Sequence, residues 1–190
     1  MRRGWLVCIA TGLAWTLLCA GAVADDNYVH TFTGFTFPPA VGVFTRMRVT
    51  PYNKEKSDIE VDYDNNPYTV HASIYVYPAH DPLAQHYMKC KGDVFQVHPD
   101  ATILSEKMVA LVKHGVTYNG YGALFQFRDR FVNATPQDLL SLLWVFRRGD
   151  YYILYRISYA KNAQQLAERQ LDDLIKQLDW PAEHPPAASP

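Results

Sequence analysis

Val70-His71-Ala72-Ser73-Ile74-Tyr75-Val76-Tyr77 alternates apolar and polar side chains without a break. A period of two is that of a strand with one buried face, because successive side chains of extended backbone point to opposite sides. The same pattern precedes it. Ile59, Val61 and Tyr63 alternate with Glu60, Asp62 and Asp64, and Asn65-Asn66-Pro67 turns the chain between the two runs. Further upstream Val43, Thr45, Met47 and Val49 alternate with Phe44, Arg46 and Arg48, before a loop from Pro51 to Ser57. Three such runs predict an antiparallel meander with one apolar face and one polar face, Arg46 and Arg48 lying on the polar one.

Beyond the meander the period changes. His80-Asp81-Pro82 predicts a helix start, with Asp81 as N-cap and Pro82 at the first helical position. Leu83, Tyr87, Cys90, Val94 and Val97 then form one helical stripe, interrupted on the other side by Gly92 and closed by His98-Pro99-Asp100. A strand is expected over Ile103 to Val112, although Glu106-Lys107-Met108 would also suit a helix, with short turns at Gly115, Asn119-Gly120 and Gly122, and another strand over Ala123 to Val132. Asp138 to Arg147 and Tyr151 to Tyr159 form a hairpin across Arg148-Gly149-Asp150. Its turn has two or three central residues, and that choice decides whether Arg147 and Arg156 share a face. A last helix starts at Asn162, with Gln165 completing a capping box. It carries Ala163, Ala167, Leu171, Leu174 and Leu178 on one stripe, with Leu166 and Ile175 beside it and Arg169, Asp172, Asp173 and Lys176 turned to water. The fold class expected is α+β, a mostly antiparallel sheet with two main helices packed against it.

The order of elements, the strand end Tyr75-Val76-Tyr77-Pro78, and the run Tyr152 to Tyr159 leading into a helix closed by Trp180-Pro181 carry a resemblance. Together they resemble uncharacterised exported bacterial proteins whose fold is similar to the PsbP-like α/β sandwich. The resemblance spans most of residues 43 to 181. It implies a binding or assembly subunit rather than an enzyme, and no catalytic motif comes with it.

The chain has 190 residues, 48% of them apolar and 19% charged, which excludes a disordered or collagen-like polymer. Its net charge of −1 offers no basic field for nucleic acid. Met1-Arg2-Arg3, the apolar stretch Trp5 to Ala20 and the small residues of Ala22-Val23-Ala24 read as a signal peptide over residues 1–24. The expected product is exported, periplasmic or secreted, with no transmembrane span after cleavage. Arg2-Arg3 leaves twin-arginine export open beside the general secretory route. A lead-in segment (25–42), one α+β domain (43–180) and a disordered Pro/Ala-rich tail (181–190) follow. Cys8 and Cys19 leave with the signal, so Cys90 has no partner for an internal disulfide.

A phosphate loop, a nucleophile elbow, a zinc-protease helix and a Cys-x-x-Cys pair are all missing from the sequence. Asp62-Tyr63-Asp64-Asn65-Asn66 begins like a calcium loop, but Pro67 and Ser73 stand where the glycine and the bidentate glutamate belong. His86 and Cys90 lie one helical turn apart, a metal-ligand spacing, with His80 and His98 near the helix ends but no third ligand fixed. Gln126, Arg128 and Arg130, with or without Arg156, are either an ion-paired surface beside Asp129 and Asp150, the reading favoured, or an anion patch, and Asn133-Ala134-Thr135 is a sequon. Arg46 and Arg48 are placed to pair with Glu60 and Asp62 across strands. With His71, Tyr75 and Tyr77 they also make up the Arg- and aromatic-rich composition of a binding face.

No cofactor and no metal are expected. The reading reached is a non-catalytic envelope protein that binds a protein partner or a small ligand through Arg46, Arg48, His71, Tyr75 and Tyr77. The alternative is an enzyme whose site is assembled from dispersed residues, with His71, His80 or His114 as base. An enzyme should hold a histidine against a carboxylate at the floor of a pocket. Amino-terminal sequencing of the exported protein should find Asp25 as its first residue; retention of the preceding segment would defeat the signal reading.

Overall fold

A computed structural model describes residues 26–65, 69–131 and 135–181. The signal segment, the sequon asparagine and all but the first residue of the tail lie outside the described residues. Strands β1 (Tyr28–Val29) and β2 (Thr36–Phe37) form a small antiparallel pair. The main sheet contains β3 (Ala40–Val41), β4 (Phe44–Pro51), β5 (Ile59–Asn65) and β6 (Val70–Pro78). Helix α1 (Leu83–Val97) then crosses to β7 (Thr102–Lys113), followed by β8 (Val116–Arg130), β9 (Pro136–Arg148) and β10 (Tyr151–Ala160). A 3-10 turn over Lys161–Ala163 leads into helix α2 (Gln164–Gln177). The strand order among the described residues is β3-β4-β5-β6-β10-β9-β8-β7, all antiparallel. Two meanders thus run inward from opposite edges and meet where β6 pairs with β10.

Each face of the sheet carries a helix, giving the α+β sandwich. On one face Ile74, Tyr155, Phe146 and their strand neighbours pack against Leu171, Leu174, Ile175 and Leu178 of α2 and its C-terminal extension. The 25–42 segment joins this layer, since Phe35, Phe37 and Val41 are buried in the same cluster. Trp180 is fully buried among the rings of Phe35, Tyr118 and Phe146 and donates its indole N–H to the Tyr155 hydroxyl at 2.9 Å. On the other face Tyr87, Cys90 and Val94 of α1 pack on Phe125, Leu143, Val145 and Leu154. The predicted α1 stripe therefore holds as far as Val94, and Val97 is exposed.

Several local expectations are corrected. Asp81 caps nothing: α1 has no side-chain cap, and the Asp81 carboxylate instead accepts from Lys89 Nζ at 2.6 Å. Asn162 makes no cap either, because the 3-10 turn places it before the α-helical hydrogen-bond ladder begins. The C-terminal end of α2 is closed from a distance. Lys113, buried at the tip of the β7–β8 hairpin, donates to the carbonyls of Ile175 (2.7 Å), Lys176 (2.7 Å) and Leu178 (2.6 Å). Those carbonyls have no partner within the helix, and the negative end of its dipole favours a cation.

Asn119-Gly120 and Gly122 are not turns but lie inside β8. A side chain on Gly120 would come within 2.5 Å of the Val145 carbonyl and 2.6 Å of the Phe146 ring, and one on Gly122 within 2.7 Å of the Trp144 ring. The glycines let these rings lie flat over the strand. The 148–151 turn has two central residues, Gly149 and Asp150, with Gly149 at φ +56°. Arg147 and Arg156 consequently share a face, at opposite ends of β10's neighbourhood.

Leu174 is fully buried, so Leu174→Ala should destabilise by about 2–5 kcal/mol, read as a clear loss of melting temperature. Lys176→Ala, on the exposed side, should move stability by about 0.5 kcal/mol or less. Equal losses at both positions would refute the packing described. The two kinds of glycine should also separate. Gly120→Ala should cost about 1–3 kcal/mol by overpacking, whereas Gly92→Ala, with open space around it in α1, should gain up to about 1 kcal/mol; urea titrations would read both.

Candidate functional site

The polar residues of β4, β5 and β6 point to the α1 face, and α1 leaves that part of the sheet uncovered. A register shift in β4 between Arg46 and Arg48 makes Met47 an extra, bulged residue. It turns the two arginines to opposite faces, which corrects the expectation that they share one. Arg46 is opposite Tyr63, 5% exposed, and donates to the carbonyls of Phe37 and Asp26. It anchors the N-terminal segment and takes no part in the polar face. Arg48 is opposite Asp62 and has a side chain 64% exposed.

On that face two buried carboxylates are each held by several donors. Asp62 accepts from Arg48 Nε and Nη2 (3.0 and 2.7 Å) and from Ser73 Oγ (2.7 Å). Glu60 accepts from the Tyr75 hydroxyl (2.7 Å) and from that of Tyr52. Burial works against ionising Glu60, but the tyrosine and serine hydroxyls and Arg48 outweigh it and hold its carboxyl below the usual value. The same carboxylate pushes the Tyr52 phenol up to about 12. Cross-strand from Asp64, His71 places Nδ1 2.6 Å from Asp64 Oδ1 and Nε2 3.3 Å from Ser73 Oγ. Its hydrogen bond to Asp64, helped by Asp62 and Glu60, raises the His71 pKa despite burial.

Asp64, His71 and Ser73 thus stand in the order of a nucleophilic triad, but the protons run the wrong way. Ser73 is buried and gives its proton to Asp62, so an imidazolium at His71 donates to both Asp64 and the Ser73 oxygen. Asp62 and Asp64 are likewise committed to Arg48, Ser73 and His71 rather than arranged as a calcium loop. His114 pairs with Asp179 at 2.6 Å on the exposed hairpin tip, outside any cavity described.

Where this polar tile meets α1, a cleft of about 670 Å³ opens over β6, β10 and β9. Tyr52, Tyr75 and Tyr77 form one wall, His86, Lys89, Cys90 and Asp93 of α1 another, and Leu143, Leu154 and Arg156 the floor. Tyr77 and Cys90 lie 2.6 and 3.3 Å from His86 Nε2, and the imidazole stacks on Tyr152 with centroids 3.8 Å apart. Burial lowers the His86 pKa and raises that of Cys90, so both stay neutral and the thiol is not activated. No carboxylate among the described residues is hydrogen-bonded to His86, whose Nε2 faces Tyr77 and Cys90. Among the described residues no group of three or more His, Cys, Asp or Glu is placed to hold a metal.

Of the residues expected to bind, Arg48, His71, Tyr75 and Tyr77 come together on the α1 face. Arg156 is the residue the sequence misplaced. It was grouped with Gln126, Arg128 and Arg130, yet those lie on the α2 face, where Gln126 accepts from Lys161 and Arg128 pairs with Asp138. Arg156 instead stands opposite Ser73 and Leu143 in the cleft floor, and makes no hydrogen bond or ion pair with any described residue. One signal was available: it is the sole charged residue in the run Tyr151 to Ala160. A second groove, of about 640 Å³, lies on the α2 face between α2 and β7–β9, with an apolar floor of Leu124, Leu142 and Trp144.

No protein-family model and no curated protein matches the chain. Solved structures do. The cyanobacterial PsbP (CyanoP) of Synechocystis sp. PCC 6803 is similar with a TM-score of 0.51 and 14% identity, over 86% of this chain and 97% of that one. The Ran-binding protein Mog1p of Saccharomyces cerevisiae gives 0.47 and 13%, over 83% and 96%. PA94 of Pseudomonas aeruginosa, a protein of unknown function, gives 0.46 and 10%, over 84% and 97%. The chain has a PsbP-like fold.

Histidine NMR should place the His71 titration above the ordinary value of 6.5 and those of His30, His86 and His98, all lowered by burial, below it. A raised folded-state pKa stabilises the protein below the unfolded value and loses that contribution as pH rises through the folded one. The melting-temperature advantage of the native protein over His71→Gln should therefore be full below the ordinary value of 6.5 and shrink as pH rises above it. A gap that widens over this range would contradict the Asp64–His71 pair.

Proposed function

We propose that the chain is a non-catalytic binding module of the cell envelope, exported through its N-terminal signal, that takes a small ligand in the cleft between α1 and the seam of the sheet. The PsbP-like fold sets the frame but not the role, since one fold hosts many functions. The observation that carries the reading is Arg156. A half-buried guanidinium in the floor of a concave site, without an internal partner, keeps its forked N–H donors open to a ligand in place of water. The surroundings support a ligand in that place: two leucines and three tyrosine rings provide apolar surface, and a few convergent polar groups provide direction. The neutral thiol, the imidazole without a carboxylate and the serine committed to Asp62 favour binding over catalysis. Arg48, His71 and Tyr75 belong to the fixed polar tile beside the cleft, and Tyr77 to its wall.

The test is to titrate small-molecule fractions of an envelope extract into labelled protein and map the NMR shifts. Changes confined to β6, β10 and the His86–Asp93 stretch of α1, abolished by Arg156→Gln, are the expected result. Shifts confined to the α2-face groove and indifferent to that substitution would overturn it.

A further inference from the structure

The chemistry of the cleft narrows the ligand further, on the premise that the cleft is the binding site. Its four charged side chains do not neutralise one another. Lys89 is engaged outside by Asp81, at 2.6 Å. Arg156 is left in the floor, and Asp58 and Asp93 stand on the walls, with no hydrogen bond or ion pair from either carboxylate to any described residue. Asp58 precedes β5 on the sheet side, Asp93 lies on α1 one turn beyond Lys89, and Arg156 is on β10. Burial raises the Asp58 pKa with no cation to offset it, as expected of a carboxylate that the guanidinium does not reach. A plain anion would satisfy Arg156 and add repulsion at the two aspartates; a plain cation would do the reverse.

We propose that the cleft binds a small zwitterion, an amino acid or short peptide by chemical class, with its carboxylate on Arg156, its ammonium on Asp58 or Asp93, and an apolar side chain over Leu143, Leu154 and Tyr75. Arg presents a planar fork that matches a carboxylate with two parallel hydrogen bonds. The ammonium is a compact charge that an aspartate on either wall can take. A cleft of about 670 Å³ accommodates a molecule of this size with its side chain covered.

Calorimetric titration with phenylalanine, the dipeptide alanyl-phenylalanine, 3-phenylpropanoate and phenethylamine tests the proposal, the first two arms separating free amino acid from peptide. The purified protein should bind at least one of the two zwitterions, and the acid and amine analogues roughly tenfold or more weakly. Arg156→Gln should lose binding by a similar factor, as should Asp58→Asn or Asp93→Asn, each with its melting temperature checked. Arg169→Gln, on the far side of α2, should change nothing. If 3-phenylpropanoate binds as tightly as the zwitterions and both aspartate variants are silent, the zwitterion assignment is overturned while the cleft remains a binding site. If neither zwitterion nor either analogue binds, the assignment is also overturned; small-molecule binding in the cleft itself then fails only if the extract titration leaves the cleft resonances unmoved.

Discussion

The pairing of β6 with β10 is the constraint on which the rest of the structure depends. Along this seam Tyr151 to Tyr159 stand opposite Pro78 to Val70 without a register shift. Each meander alone would expose a long unpaired edge at this place, and joining the edges removes both. Helix α1 is what makes the joining possible, because it carries the chain from the inner end of the first meander to the outer edge of the second. The seam also builds the cleft. Tyr75 and Tyr77 come from one side of it and Leu154 and Arg156 from the other, so neither meander contains a site by itself.

Beside the seam, Glu60 and Asp62 are buried carboxylates that would be intolerable without partners. Each receives two or more donors, and the donors come from β4, β6 and the loop before β5. The result is a tile of paired charges in which Arg48, Ser73 and His71 are already engaged by carboxylates or one another. Rigid, satisfied polar surface next to a half-buried guanidinium without an internal partner is a division of labour: the tile holds the tyrosine walls in place, and Arg156 remains available. On the opposite face Lys113 plays a comparable structural part, tying the β7–β8 hairpin to the end of α2.

Much of the architecture was legible because periodicity is a local property. The alternation at 59–64 and 70–77 and the stripes Tyr87-Cys90-Val94 and Leu171-Leu174-Leu178 each follow from the geometry of one element. The misreadings share a cause. Gly120 and Gly122 resemble turn residues until Trp144 and Phe146 are seen lying across them, and Asp81 resembles a cap until Lys89 takes its carboxylate. Arg46 and Arg48 alternate with their neighbours on paper, but one bulged residue reverses the parity of the strand.

The sequence by itself determined the two helices and most of the long strands, the apolar side of β5, β6 and both helices, and that Cys90 sits on a buried stripe, because these depend on spacings of two and of three to four residues. Only the tertiary structure decided which polar groups meet. The face taken by Arg46, the order of β6 beside β10, the His71–Asp64 pair and the isolation of Arg156 in the cleft floor all depend on register between segments far apart in the chain. Register is set by the packing of whole faces against each other, and no local spacing records it.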